Sequence, residues 1–434
     1  MVVVPSITFA VTELRKIVAA RYYEERLLFL LLFLARPELR LVYLTSTKID
    51  PDIVDYYLRF LPDPADARQR LHLVDLADSG DEPLSEKLLH RAEVLDELRS
   101  LAVDPRGSTL LTFNVTPLEH AIAARLGLAV DGPATELAWT GSKSGAHKIA
   151  ARAGVAHPVG REDLFDSNQL ASAIEAIRAS RPDTEAVVVK LNNGFSGQGN
   201  AVLPLAGLAD PLSASKTVFC SASESWPSFL AKIRAEGAIA EELLRAPGLV
   251  SPSAQLRITA RGLVELLSTH DQILGGRENQ VYLGCRYPAA VGYRSAIEAE
   301  ALKVGVVLAA EGVIGWFGID FLVDGDKVYL SEINLRMGGT THPYWMARLV
   351  TGGEPKAYVA TDNIKLPGLL GRTPADVIAA VDDAGLAFDR KRGLGVTLHL
   401  LGPLPEAGKM GATCIADNAD EAEILYQALI RVLS

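Results

Sequence analysis

The chain has 434 residues, 49% of them apolar and 22% charged, the make-up of a globular protein of two or three domains. Its 43 basic and 53 acidic side chains leave a net charge of −10 with no long basic run, which argues against a nucleic-acid backbone as partner. Cys220, Cys285 and Cys414 lie far apart and form no CxxC pair, so neither a disulfide framework nor a thiolate zinc site is expected.

The N-terminal stretch "MVVVPSITFAV" carries no basic leader or cleavage motif. "ITFAV" reads as a first strand, with a helical pattern following from about Thr12 to Ala35. The greasiest part of that helix, "LLFLLLFLA", is nine residues between Arg26 and Arg36, whereas a membrane span needs roughly 20. A buried helix in a cytoplasmic protein with no membrane partner is the expectation. "LRLVYLTS", "RLHLVDLA" and "STLLTFNV" read as further strands. Helices over "DIVDYYLRFL" and "LSEKLLHRAEVLDELRSLA" separate them, and one over "TPLEHAIAARLGL" follows. This alternation predicts βαβ crossovers and a parallel, Rossmann-like α/β sheet. No GxGxxG follows the first strand, so a nicotinamide site is not expected there.

From about residue 138 the texture changes. "TGSKSGAHKIAARAG" predicts a helix ending at Gly154, and "AVVVKLNNGFSGQGNAVL" a strand, a glycine loop and a second strand. "GAIAEELL" is a further strand, "SAQLRITARGLVELLSTHDQIL" a pair joined at Arg261-Gly262, and "WFGIDFLVDGDKVYLSEINL" a hairpin turning at Asp-Gly. After "VTGGEP", helices near 374–385 and 420–433 flank two strands, "GLGVTLHLLG" and "MGATCIA".

In "SEINLR", Glu332, Asn334 and Arg336 recur at every second position and therefore share one strand face. An acid, an amide and a guanidinium on one face of an apolar hairpin are costly to bury without partners. Asp320 joins that face only if the turn has an odd count, as in a loop Asp324–Asp326, or if the hairpin carries a bulge. Asp320, Glu332 and Asn334 would then offer the hard oxygen ligands that Mg²⁺ prefers, with Arg336 beside them for a phosphate or carboxylate. In "VVVKLNNGFSGQGN", Lys190 ends an apolar strand, and Gly194, Ser196, Gly197 and Gly199 form a loop able to close over phosphate oxygens. The order is not that of a Walker A loop. Lys143 in "GSKSG" is a second candidate cation or a solvated lysine at a helix start. In "IAEELLRAPG", Glu241 and Glu242, with Leu243 and Leu244 after them, suit an adenine hinge or are plain surface acids.

Taken in this order, the segment from about 138 to 352 resembles an ATP-grasp domain, in which two α+β lobes close on ATP. The resemblance implies ATP as cofactor with Mg²⁺, two ions being expected and Mn²⁺ a substitute. Lys143 and Lys190 match the family's paired lysines, residues 193–199 its flap, and Glu241 to Leu244 its hinge. Asp320, Glu332 and Asn334 match its metal ligands, and Arg336 its phosphate-binding arginine. The front domain, with "STHDQILGG" and "YLGCRYPA", is similar to the pheganomycin-type peptide ligases and their pre-ATP-grasp domain. The expected organisation is a pre-ATP-grasp α/β domain over 1–137, lobes at 138–243 and 244–352, and a C-terminal α+β domain over 353–434.

What the resemblance implies is an ATP-dependent carboxylate–amine ligase that joins amino acids or short peptides through an acyl phosphate, with Arg336, Arg286 and Asn334 as the catalytic set. A homodimer is compatible with it. A phosphotransferase acting on a hydroxyl and a nucleotide-binding module without catalysis are the competing readings. A bicarbonate-fed carboxylase is disfavoured because no biotin-accepting "MKM" segment occurs. Arg286 or Arg257 could bind a substrate carboxylate, or each could form a surface ion pair. His270 with Asp271 could orient an amine, with a structural role as the alternative for His270. His342 is expected in a loop past the metal strand. Cys285 reads as a packed small residue.

Overall fold

The computed structural model describes residues 1–102, 107–194, 199–205, 217–221, 224–275 and 281–434. Contacts divide the chain into two units, one of Met1–Thr135, Gly284–Pro288 and Arg336–Ser434, the other of Glu136–Leu283 and Ala289–Leu335.

The first unit begins with β1 (Val2–Val4), α1 (Val11–Leu14) and a 3₁₀ helix at Ala20–Ala35, then β2 (Leu41–Thr45), α2 (Pro51–Leu58), α3 (Pro64–Gln69) and β3 (Leu71–Asp75). It continues through α4 (Leu84–Leu89), α5 (Ala92–Leu101), β4 (Thr109–Thr112), α6 (Pro117–Leu126) and β5 (Ala129–Val130). The strands form a parallel sheet in the order β3-β2-β1-β4-β5. Val2, Val4, Val42, Leu44 and Leu110 on its face pack with Leu84, Leu88, Leu95, Leu98, Ile122 and Leu126 of the helices. Burying such side chains contributes roughly 1.5–3 kcal/mol each.

Three expectations are corrected here. The first strand is Val2–Val4, not "ITFAV", because Pro5 has no N–H with which to extend the ladder. The helix expected from Thr12 to Ala35 is broken at Ala19, whose φ of 59° is left-handed, and resumes as a 3₁₀ helix. The helix expected over 84–102 is two, since α4 ends at His90 and Arg91 takes φ −121° and ψ 79° before α5. Where capping is strong the boundary holds: Thr116 and Glu119 form a capping box for α6.

The second unit opens with α7 (Lys143–Ala153), β6 (Gly160–Leu164), α8 (Ser167–Ser180), β7 (Ala186–Leu191), β8 (Asn200–Pro204), β9 (Val218–Phe219), α9 (Trp226–Glu236) and β10 (Ala238–Glu242). Its first sheet runs β6-β10-β7-β8-β9 and is antiparallel. Val187, Val189, Leu191, Ala238 and Ala240 face Leu170, Ile174 and Ile177 of α8 and Phe229 and Ile233 of α9. The alternate residues of β7 and β10 therefore look the other way. Next come β11 (Pro252–Ile258), β12 (Val264–Gly275), β13 (Val281–Tyr287), α10 (Val291–Ala310), β14 (Gly315–Asp324) and β15 (Lys327–Asn334). Within this unit β15, β14, β11 and β12 lie side by side and antiparallel. Their core face carries Leu256, Ile258, Phe317, Ile319, Phe321, Leu330 and Ile333, packed with Ile149 of α7 and Ile297, Val304 and Leu308 of α10.

The chain completes the first unit with α11 (Thr341–Val350), β16 (Ala357–Lys365), α12 (Pro374–Asp383), β17 (Gly395–His399), α13 (Leu404–Ala407), β18 (Lys409–Ala416) and α14 (Ala419–Leu433). Residues 284–287 of β13 pair with β16, which pairs with β18, and β18 with β17, all antiparallel. Among the described residues no helix is long and apolar enough to cross a membrane.

Candidate nucleotide and metal site

The hairpin β14–β15 decides where the acidic groups point. Asp324 pairs with Lys327, so the loop is the two residues Gly325 and Asp326, not an odd count. Such a loop alone would set Asp320 opposite Ser331 and turn Glu332 to the other face. A bulge at Ser331 corrects this: Phe321 pairs with Leu330, Asp320 with Glu332, and Gly318 with Asn334. Asp320, Glu332 and Asn334 thus share one half-buried face. Asn334 Nδ2 donates to Asp320 Oδ2 at 3.0 Å, and Gln272 Nε2 donates to Asp320 Oδ1 at 2.6 Å.

Two lysines reach this strand. Lys143 is the first residue of α7, whose start is capped by the Ser142 hydroxyl accepting from the Gly145 N–H at 3.0 Å. It is buried at 5% exposure, not a solvated helix-start lysine, and its ammonium pairs with Glu332. Asn192 fixes the helix entry by accepting from the Lys143 N–H at 3.1 Å and, through its side chain, from the Ser144 N–H at 3.0 Å. Lys190 lies on the face of β7 opposite the α8–α9 core, and its ammonium donates to Ser331 Oγ at 3.3 Å.

Glu241, on β10, projects to the same side as Lys190 and binds it at 2.6 Å. Its other oxygen meets His147 Nε2 at 2.7 Å. Burial opposes ionisation of Glu241, but Lys190 and His147 outweigh it and hold the carboxyl at about 2. Burial likewise opposes charge on His147, and Glu162 and Glu241 outweigh it, raising the imidazole to about 9. Glu242 is buried too; it accepts from the Val159 N–H at 2.9 Å and lies 3.5 Å from Arg181. The Leu243 N–H is bonded to Ala186 O at 2.9 Å, and Leu244 follows it half-buried.

Gly194 and Gly199 form the stems of the glycine loop, tied to β7 through Leu191. A Cβ on Gly199 would lie 2.8 Å from Gly194 Cα, and one on Gly194 would lie 3.1 Å from Gly199 Cα, so glycine is required by close approach. Ser196 and Gly197 lie outside the described residues.

The remaining candidates are spread more widely. Arg336 belongs to the first unit, where it donates to Met337 O at 3.1 Å and its guanidinium lies 6.0 Å from the Phe9 ring and 5.8 Å from the Phe113 ring. Arg286 pairs with Glu423 at 3.1 Å. Arg257 covers the Trp316 ring at 5.3 Å. His270 is fully buried, and burial pushes its pKa down to about 3, so it is neutral. Asp271 holds the start of α10 instead, accepting from the Tyr293 hydroxyl at 2.7 Å and the Ala290 N–H at 3.0 Å. Cys285 is buried, as expected.

His342 is in the first turn of α11, not in a loop, and is buried. Its Nε2 and that of His399 both meet Asp362 Oδ1, at 2.8 and 2.9 Å, while Arg26 holds Oδ2 at 2.7 Å. The histidine–aspartate grouping has the ligand types of a metal centre. Arg26 already supplies the cation for Asp362, however, which makes it a closed ion-pair cluster.

Sequence reasoning missed Gln272, His147 and Ser331. His147 had a signal, because a histidine stands between Ala146 and Ile149 on the buried side of α7.

Comparison with known proteins adds to this geometry. The family described as IQCH-like, ATP-grasp matches residues 207–332, and the PGM1 C-terminal domain matches residues 376–429. The L-propargylglycine--L-glutamate ligase of Streptantibioticus cattleyicolor is 30% identical over 97% of this chain and 91% of its own length. The biotin carboxylase of Campylobacter jejuni, solved as an ATP complex, is similar with a TM-score of 0.59 and 14% identity over 94% of this chain and 89% of that one. The N5-carboxyaminoimidazole synthetase of Staphylococcus aureus, solved with ADP, gives 0.56 and 13% over 94% and 95%. At these identities the two structures show a shared fold.

Proposed function

The chain belongs to the ATP-grasp carboxylate–amine ligases, enzymes that form a carbon–nitrogen bond, and we propose that it joins amino acids or short peptides through an acyl phosphate made from ATP. The observation that carries the proposal is the meeting of Lys143 and Lys190 with the strand that bears Glu332: Lys143 pairs with Glu332 itself, and Lys190 touches Ser331 beside it. Cations for phosphate oxygens and oxygen ligands for a divalent ion thus converge, which is what holding a metal–nucleotide complex requires.

The donor set fits Mg²⁺. Asp320 and Glu332 offer carboxylate oxygens and Asn334 an amide oxygen, on one face and half-buried. These three residues would hold the ion, and when bound it supplies charge neutralisation for the β and γ phosphates. Gln272 orients Asp320 from β12, reaching across β11. Lys143 and Lys190 would contact the phosphates, and the backbone at Gly194 and Gly199, free of side chains, could approach them. The backbone beyond Glu242 would read the base.

In this reaction the γ-phosphoryl group passes from ATP to the donor carboxylate, releasing ADP. The acceptor amine then attacks the acyl carbon, loses a proton and expels phosphate. Nothing in it requires an enzyme nucleophile, so the chain's part is positioning and charge stabilisation. Arg336 is proposed to steady the transferred group and Arg286 to take a substrate carboxylate. The name of the Streptantibioticus relative couples an amino acid to glutamate. By analogy an α-amino acid is the proposed carboxylate donor and a second amino acid or short peptide the acceptor.

The test is a matrix of amino-acid pairs with ATP and Mg²⁺, following phosphate release and product masses. Release that requires both partners, with a product of their summed mass less water, is expected. A phosphorylated hydroxyl compound as sole product would make the protein a kinase.

A further inference from the structure

Lys190 is given to the nucleotide phosphates in the reading above, and the inference drawn here rests on that reading. A lysine ion-paired to a buried glutamate is a poor anion receptor, because the pair has no net charge. Lys190 and Glu241 are such a pair, 7% and 1% exposed and 2.6 Å apart. A third group changes the balance. His147 has no exposed surface and places Nε2 2.7 Å from the second oxygen of Glu241. One acid is thus shared by two potential cations.

We propose that His147 is a positioning residue of the nucleotide site: it orients the Glu241 carboxylate that fixes the Lys190 ammonium and, as an imidazolium, leaves the buried cluster with one net positive charge for a phosphate. Among the fully buried groups the count is Lys190 and His147 positive and Glu241 negative; Glu162, ionised at the part-exposed edge, offsets part of that charge. Other groups packed against His147 are consistent with this. Glu162 of β6 sits 3.6 Å from Nδ1, too far for a hydrogen bond but close enough to favour the charge, and it is part-exposed and screened by solvent. His157 lies against the ring at 4.3 Å between centroids, and burial, with the charge on His147, lowers its own pKa so that it adds no cation. His147 itself is held protonated to about 9 despite its burial.

The surroundings are shaped for this ring. A Cβ on Gly160 would come 3.0 Å from His147 Cε1 and 2.7 Å from Ala240 O, so glycine at that point admits the imidazole between α7 and β10. His147 occupies a position on α7 flanked by the core residues Ala146, Ile149 and Ala150, where an apolar side chain would pack at less desolvation cost. A charge in that place calls for a reason, and control of Lys190 is one.

The experiment measures binding of the Mg²⁺ complex of a non-hydrolysable ATP analogue to the full chain by calorimetry between pH 6 and 10, for wild type, Lys190→Ala, His147→Gln and Glu162→Gln. Lys190→Ala should weaken binding at every pH. His147→Gln should weaken it about tenfold near neutrality, the loss expected for one poorly placed charge, and should abolish a fall in affinity that the wild type shows near the His147 pKa of about 9. Glu162→Gln, at a part-exposed position, should move that fall to lower pH. If Lys190→Ala weakens binding while His147→Gln and Glu162→Gln leave affinity and pH profile as in wild type, the positioning role is overturned and the ligase reading stands. If Lys190→Ala has no effect, the lysine assignment fails and the inference with it. Should His147→Gln not fold, an unmoved profile in Glu162→Gln overturns the inference by itself.

Discussion

Replacing Glu241 by Gln removes the one acid shared by two buried cations, and the cost can be worked from the site. Lys190 and His147 pull its pKa from 4.5 to about 2 against the opposing effect of burial, a preference for the ionised form of about 3 kcal/mol. The geometry gives a similar figure, since two charge-assisted hydrogen bonds of 2.6 and 2.7 Å are lost and breaking one partner of a buried pair costs about 3–5 kcal/mol. Glutamine keeps the shape and some hydrogen bonding, so about 3 kcal/mol at pH 7 is the expectation. The pH dependence has a definite sign. The folded pKa is depressed, so the contribution is complete above 4.5 and is lost as pH falls through about 2. Denaturant unfolding of wild type and Glu241→Gln at pH 7, 5, 4 and 3 should show the difference shrinking toward acid. A difference below about 0.5 kcal/mol at pH 7, typical of surface changes, or one that does not shrink, would refute the picture of a buried charge cluster.

Glu332→Ala should abolish turnover while the chain still folds, with a lower melting temperature because the buried Lys143 loses its partner; normal Mg²⁺-dependent turnover would remove Glu332 from the metal face. Gly199→Ala should destabilise the flap stem, because its Cβ would meet Gly194 Cα at 2.8 Å; unchanged nucleotide affinity and proteolytic sensitivity would argue against it. Glu25 is buried and its pKa is pushed by burial to about 8, so the folded chain keeps a proton that the unfolded chain gives up above 4.5. Stability should therefore fall as pH rises from 4.5 to about 8, and Glu25→Gln should remove that fall, a gain of about 4 kcal/mol at pH 8, read by unfolding at pH 5 and 8.

The order of strands and helices was legible because strongly apolar runs alternate with capped helices, as at Thr116 for α6 and Ser142 for α7. The 3₁₀ helix at Ala20–Ala35 was not, since residues buried on nearly every side carry no period that separates it from an α-helix. The acidic face was legible in its members but not in the cause of its parity. That cause is written in the core residues: Leu330 and Ile333 are both fully buried although one position is even and the other odd, and a strand without a bulge cannot bury both on one face. The partners of Lys190 were hidden for another reason. Glu241 and His147 are 94 positions apart, and sequence spacing cannot bring α7 against β10. The same distance hid Gln272, whose value lies only in the strand that β14 is separated from by β11.

The central claim is an activated carboxylate attacked by an amine, and hydroxylamine tests it most directly. Incubated with ATP, Mg²⁺ and the donor amino acid, the enzyme should yield the amino-acid hydroxamate together with stoichiometric ADP and phosphate. ATP consumption that leaves a stable phosphorylated alcohol and no hydroxamate would contradict the account.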